Sequence, residues 1–168
     1  MKNLNFRDAR RMTAVAGFTF ALLMIFSQPV MAEGWNGIEH LKSRRADVEK
    51  ALGKPILDQP GQDGTLHFKV MGGKVTVVFV NARFVSTKKL FPELEGTVLQ
   101  IVLQHERSSE TPESMMLVGN SKFEREDTQG GTIFRNLKDG IAYTFFNGKL
   151  KTSRYSASAS QLGKARKG

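Results

Sequence analysis

The sequence contains no cysteine among its 168 residues. This absence excludes disulfide staples and thiolate metal sites, and we expect no cysteine-linked lipid anchor. The sequence also lacks an apolar run long enough for a membrane-spanning helix, which needs about 20 residues. Its most apolar segment, residues 14–26, is 13 residues long. Such a chain has to fold on its hydrophobic core alone, and its length suits one ordinary domain.

Residues 1–32 have the three-part layout of a secretory signal peptide. Four basic residues and one acidic residue lead into the apolar segment, and a short stretch that ends in Ala32 follows it. We therefore predict a signal peptide that is cleaved after Ala32, which makes the protein exported and either periplasmic or secreted. The Arg10-Arg11 pair leaves the general and the twin-arginine export routes open. A signal that is not cleaved would remain as an inner-membrane anchor.

The chain is basic, with 25 Lys and Arg residues against 16 Asp and Glu residues and a formal net charge of +9. Without residues 1–32 it keeps 21 basic and 15 acidic residues, a net charge of +6. The basic residues are scattered and not interleaved with aromatic ones, so we expect no nucleic-acid partner. Residues 157–168 are rich in Ser, Ala and Lys, which predicts a disordered basic tail. Any membrane association would be weak, would act through this tail and would be released by salt.

Two local patterns define a first unit, residues 33–106. A helix pattern begins with Ser43 as the predicted N-cap residue and ends at Gly53, which Pro55 follows. Apolar and polar side chains then alternate on both sides of a Gly-Gly pair at residues 72–73, which predicts a β-hairpin.

A second unit, residues 107–156, repeats this order. A capping threonine, a proline and a final glycine predict a helix over residues 111–119, and Asn147-Gly148 predicts a tight hairpin turn. The glycine stops and the hairpin turns of the two units are each 66 positions apart, which indicates a duplication. The predicted fold class is α+β, with short helices packed on an antiparallel β-meander as two tandem helix-plus-meander repeats. Exposed edge strands would join the halves into one sheet or accept a strand from a partner.

The first unit resembles known families through three short motifs. They are Trp35-x-Gly37-Ile38, Leu41-x-Ser43-x-Arg45-x-Asp47-Val48-Glu49 and Leu52-Gly53-x-Pro55. This layout is similar to a family of small, uncharacterised exported bacterial proteins. More distantly, the helix, the Leu-Gly-Lys-Pro segment and the meander resemble SmpA/OmlA (BamE-like) outer-membrane assembly modules. A tandem of such units resembles the β-lactamase inhibitor protein architecture. The resemblance implies an envelope role and no catalytic residues.

One group of residues is a candidate binding site. Ser43, Arg44 and Arg45 lie at the start of the predicted helix, where free backbone N–H groups and guanidinium groups favour an anion or an acidic partner. Trp35, the only tryptophan, is the candidate aromatic contact. Acidic residues nearby in the sequence would instead neutralise the arginine pair.

No residue pattern predicts catalysis, a metal site or a cofactor. The histidines His40, His67 and His105 lack the spacing that brings two rings to one ion, so we expect them at the surface or at strand edges. The carboxylate pairs lie in polar stretches where nothing would raise a pKa. No serine has the sequence context of an activated nucleophile.

These observations favour an exported, non-catalytic binding protein or envelope assembly accessory, with an envelope protein as its partner. The alternative is a small envelope hydrolase or an inhibitor-like protein with its site in residues 81–96. The sequence predicts that segment to be an irregular loop, long enough to project from the sheet. The ligand, the substrate and the oligomeric state stay open.

Overall fold

The computed structural model describes residues 34–59 and 64–167, and in these residues the protein is α+β and mostly β. A large antiparallel sheet of eight strands accompanies a two-stranded sheet and three short helices. The predicted signal peptide and its cleavage site after Ala32 lie outside the described residues.

The elements follow one another along the chain with short connections. The strands are β1 (Gly34–Trp35), β2 (Ile38–Glu39), β3 (Leu57–Gln59), β4 (Thr65–Val70), β5 (Gly73–Phe79), β6 (Val98–His105), β7 (Glu124–Thr128), β8 (Gly131–Asn136), β9 (Ile141–Phe146) and β10 (Lys149–Ser156). The helices are α1 (Arg45–Leu52), α2 (Ala82–Lys88) and α3 (Ala159–Lys164), and a 3₁₀ turn spans Pro92–Leu94.

The large sheet consists of two four-stranded meanders joined through their last strands. Its strand order is β3-β4-β5-β6-β10-β9-β8-β7, and every neighbouring pair is antiparallel. The junction pairs β6 with β10, for example Ile101 with Tyr155 and Leu103 with Ser153. The halves are therefore joined edge to edge in one sheet, which was one of the two arrangements expected from the sequence.

The predicted hairpins are confirmed. Strands β4 and β5 pair from Thr65 to Val70 around a Met-Gly turn, one residue earlier than the Gly-Gly turn expected from the sequence. In the β9–β10 hairpin, Asn147 and Gly148 have φ angles of 50° and 69°. Both residues are in the left-handed region, as a type I′ turn requires.

The core lies on one face of the large sheet, which we call the covered face. In the first meander, strands β4 to β6 pack under Ile38 and Val48, which the segment before β3 supplies. In the second meander, Phe134, Phe145 and Leu150 pack under Leu117. Residues from the connection between β6 and β7 thus cover the second half, as residues 34–52 cover the first.

The opposite face carries no buried side chain among those that the structure describes, and we call it the open face. Every described side chain that alternates onto it is half-buried or exposed. One cross-strand row on this face runs through all eight strands, in the order Leu57, His67, Thr76, Val102, Arg154, Ala142, Arg135 and Glu124. Strand alternation places the apolar set on the covered face and this mixed set on the other.

Three local expectations from the sequence are wrong. Residues 81–96 are not an irregular loop, since they form α2, whose N-cap Asn81 accepts a hydrogen bond from the Phe84 N–H at 2.8 Å, and the 3₁₀ turn. Residues 111–119 form hydrogen-bonded turns but no continuous helix. In the expected disordered tail, residues 157–167 include α3, because Ser158 and Gln161 form a capping box.

Candidate functional site

The candidate anion site at the start of α1 is occupied by contacts within the protein. Arg44, not Ser43, is the N-cap residue, and the Asp47 carboxylate accepts a hydrogen bond from the Arg44 N–H at 2.8 Å. The Arg44 guanidinium donates from Nη1 to the Glu95 carbonyl at 3.0 Å and from Nη2 to the Glu93 carbonyl at 2.7 Å. Arg44 therefore ties α1 to the 3₁₀ turn about 50 residues away.

Ser43, Arg45 and Trp35 also have structural contacts. Ser43 is buried, and its Oγ accepts a hydrogen bond from the Glu39 N–H at 2.9 Å. Its backbone carbonyl accepts a hydrogen bond from the Val98 N–H, so it is paired with β6 and not with the helix. Helix α1 therefore starts one residue later than predicted. Arg45 pairs with Glu49 at 2.8 Å, one helical turn away. Trp35 is half-buried and packs against the first core cluster.

The four residues thus do not converge on one exposed pocket. The Arg44 guanidinium donates to main-chain carbonyls, and the Arg45 guanidinium pairs with the Glu49 carboxylate. An anion would have to compete with these partners for either guanidinium. The sequence signal that pointed to them, two arginines in a first helical turn, has a structural explanation. Backbone carbonyls and an (i, i+4) glutamate supply the counter-groups.

A groove lies between α2 and the adjoining ends of β4, β5 and β6. It has a volume of about 440 Å³. Its lining consists of four apolar, three neutral polar and one basic side chain: Val78, Phe79, Phe84, Leu99, Thr65, Asn81, Thr87 and Arg83. Asn81 is already engaged as the N-cap of α2. The lining contains neither a histidine nor a carboxylate, so the described groove supplies an apolar contact surface but no acid–base pair.

The three histidines lie apart, and one departs from expectation. His40 is buried, since it lies between β2 and α1 in the segment that pairs with the start of β6. Nδ1 of His67 and the Thr76 hydroxyl oxygen are 3.0 Å apart across β4 and β5. His40 is buried because residues 38–44 pack onto the sheet. The alternation of residues in the sequence did not show this packing.

His105 and Ser153 lie where the two meanders meet on the covered face. His105 Nε2 is 2.9 Å from the Ser153 Oγ, and Ser153 is buried with an exposure of only 3%. Burial lowers the pKa of the His105 imidazole below its usual value. Nearby, burial raises the pKa of the Tyr143 phenol, and the Tyr155 hydroxyl adds to this effect. The His105–Ser153 contact joins the two meanders, and the buried serine has no access to a substrate.

The open face is more basic towards its first half. Lys69 and Lys74 are directly opposite each other on β4 and β5, and both are exposed. Arg154 is exposed on β10, near the middle of the sheet. Arg135 on β8 forms an ion pair with Glu126 on the edge strand β7. Like charges in opposite positions weaken a sheet slightly, so the lysine pair is not explained by stability.

Across residues 34–59 and 64–167, no three His, Asp or Glu side chains come together as a group that would hold a metal ion. Over the same residues, the helices are all too short and too polar to cross a membrane.

Comparisons with known proteins add little. No family model matches the chain, and no curated protein matches it. Among solved structures, it is similar to the crystal structure of a DUF4309 family protein, YjgB, from Bacillus subtilis subsp. subtilis str. 168. The TM-score is 0.48 at 13% sequence identity, and the match covers 71% of this chain and 82% of that chain. A likeness of this size carries no conclusion about family or function.

Proposed function

We propose that the protein is an exported, non-catalytic binding protein, an assembly accessory of the cell envelope, and that it binds a partner protein through the open face. The observation that carries the proposal is the open face itself. Eight strands form this face, and none of the described side chains on it is buried. Export is inferred from the three-part layout of residues 1–32.

The size of the open face suits a protein partner. Neighbouring strands are about 4.8 Å apart, so the row from β3 to β7 is about 34 Å long. Three rows of side chains along the strands make the flat surface about 500 Å². This corresponds to an interface at the low end of the size range, since each partner contributes ~800 Å² to a standard one.

The composition of the open face is also that of a protein interface. Its middle combines small apolar and hydroxyl side chains such as Val102, Ala142 and Thr144 with the cation of Arg154. Protein interfaces commonly have such a partly apolar centre, enriched in arginine, with polar groups around it. An enzyme site would instead need convergent acid–base groups in a cleft.

The proposal includes a duplicated unit, a four-stranded meander that α1 precedes in the first half and hydrogen-bonded turns precede in the second. Strands β4 and β8 are both six residues long and begin at residues 65 and 131, which are 66 positions apart. The halves also differ between their last two strands. The first half has α2 and the 3₁₀ turn there, whereas β9 and β10 are joined by Asn147-Gly148. Residues 80–97 thus read as an insertion into one copy.

Affinity purification of the tagged protein from fractionated cells tests the proposal, with intact-mass analysis of the same sample. We expect a chain that starts at Glu33 and a stoichiometric envelope partner. The variants Val102→Arg and Arg154→Glu should lose this partner, because both change the centre of the open face. Lys138→Glu, in the exposed β8–β9 turn, makes the same charge change as Arg154→Glu and should keep the partner.

Three results would overturn this proposal. The first is a full-length mass in the membrane fraction. The second is a partner retained equally by the open-face variants and by Lys138→Glu. The third is turnover of a small substrate by the purified protein.

The groove beside α2 is the surface that a second candidate function would use, an inhibitor-like protein or a small hydrolase with its site in residues 81–96. A hydrolase would need acid–base groups from outside the described lining. Apolar side chains such as Phe84 line a volume of about 440 Å³, enough for a small apolar ligand. A panel of short-chain esters tests the hydrolase. Turnover that Phe84→Trp abolishes, by filling the groove, would favour this candidate over the open face.

A further inference from the structure

The chain end folds back against the end of α2. The Lys167 N–H donates to the Lys89 carbonyl at 2.8 Å, and the Phe91 N–H donates to the Ala165 carbonyl at 3.0 Å. Leu90 forms an isolated antiparallel bridge with Arg166 and is itself buried at 1% exposure. The buried leucine and the two backbone hydrogen bonds thus hold residues 165–167 beside residues 89–91.

This pairing gathers positive charge from two distant parts of the sequence. The exposed cations that it brings to one end of the molecule are Lys88, Lys89, Lys164, Arg166 and Lys167. Phe91 belongs to the same paired segment, since its N–H donates to the Ala165 carbonyl, and its side chain is 40% exposed. Glu93 is exposed close by along the chain, so the group keeps a clear positive excess. We call these five cations with Phe91 the terminal basic patch.

We infer that the terminal basic patch binds the anionic headgroups of a membrane surface. Clustered Lys and Arg side chains are attracted to anionic lipids, with an affinity gain of about fivefold per residue near the surface. The exposed Phe91 ring would insert at the boundary between headgroups and acyl chains, as the apolar side chains of interfacial segments do. A nucleic acid is less well matched, because single strands need several aromatic platforms and the patch has one.

This inference uses residues that the open face does not contain, so it can fail without affecting the proposed function. It also differs from the expectation that an unstructured tail alone would contact the membrane. An unstructured tether depends only on residues 157–168, whereas the terminal basic patch depends equally on Lys88 and Lys89. Variants in each segment distinguish these two arrangements.

Vesicle co-sedimentation tests the inference. The full chain is expressed, the form that the cells produce is purified, and it is mixed with phosphatidylcholine vesicles with or without phosphatidylglycerol. We expect binding only with phosphatidylglycerol. Raising the salt from 0.1 to 1 M should release the protein, because it shortens the Debye length from about 10 to about 3 Å.

Matched charge reversals locate the binding surface. Lys88→Glu/Lys89→Glu and Lys164→Glu/Lys167→Glu should each weaken binding at least about tenfold. The control Lys122→Glu/Lys138→Glu makes the same change in net charge at two other exposed positions and should stay within about twofold. Circular dichroism checks that each variant is folded. If the reversal at 88–89 perturbs α2, the double change to glutamine should still weaken binding several-fold.

Three outcomes would overturn the inference. One is weakening by the 164/167 reversal alone, which is the behaviour of a flexible tether. Another is equal weakening by the control pair, which would reflect net charge. The last is salt-sensitive binding to duplex DNA without binding to the anionic vesicles.

Discussion

Replacing Arg44 tests whether this side chain holds two parts of the fold together. Its guanidinium donates two hydrogen bonds, to the Glu93 and Glu95 carbonyls, at 2.7 and 3.0 Å. Hydrogen bonds from charged donors are worth about 1.5–3 kcal/mol each. Because Arg44 is exposed, we take about 1 kcal/mol for each bond, and expect Arg44→Ala to lower the free energy of unfolding by about 2 kcal/mol. The melting temperature should fall by about 4–8 °C.

Urea unfolding of the wild type, Arg44→Ala and Arg44→Lys measures this loss. Lysine keeps the charge but not the planar fork, so Arg44→Lys should lose about half as much as Arg44→Ala. Lys50→Ala, an exposed change on the same helix, should stay within about 0.5 kcal/mol of the wild type. The reasoning fails if Arg44→Ala is as stable as the wild type. It also fails if phosphate stabilises the wild type but not Arg44→Ala, which would be the behaviour of an anion site.

Three further changes test the core, a strand start and the half-buried His105. Phe68→Ala removes a fully buried ring and should cost about 3–5 kcal/mol in urea unfolding, whereas Lys69→Ala next to it should cost less than about 0.5 kcal/mol; similar losses would contradict the assigned faces. Gly131→Ala places a Cβ against the Phe145 carbonyl oxygen at a φ of 121° and should lower the melting temperature by several degrees, and an unchanged value would contradict this register. Because burial lowers the pKa of His105 in the folded state, the unfolded chain takes up more protons as the pH falls below about 6.5. The wild type should therefore lose stability between pH 7 and pH 5, and His105→Gln should reduce this loss; an equal loss in both proteins would refute the role of His105.

The hairpins were predictable because local sequence determines them. Asn147-Gly148 fits a turn in which both residues adopt positive φ angles, and the structure has this turn. Alternation of apolar residues likewise identified β4 and β5 as a hairpin, although its turn lies one residue earlier than expected. Such features depend on residues close in sequence, so they need no knowledge of distant contacts.

The missed elements depend on contacts between distant residues. Helix α3 lies in a stretch with little apolar content, and the pairing of Arg166 with the buried Leu90 holds the chain beyond it. Helix α2 is only seven residues long, and its sequence signal was limited to the capping side chain of Asn81. The expected helix over 111–119 had correct end signals, but packing of Leu117 onto the second meander fixes turns instead.

For the candidate anion site, the sequence identified the charged residues but not the contacts that they make. Sequence alone shows that Arg44 and Arg45 are cations at a helix start, but their partners are revealed only by the fold. The carbonyls of residues 93 and 95 lie far along the chain. The open face could not be assigned either, because alternation shows that a strand has two faces and does not show which of them another segment covers.

Methyl NMR of the protein with its captured partner tests the central claim most directly. The open face carries Val102, Ala142 and Ile133, and the covered face carries Val75 and Val77. We predict that the partner shifts or broadens the first three signals and leaves the last two unchanged. Changes confined to the covered face, or no changes on either face in a stoichiometric complex, would contradict binding through the open face.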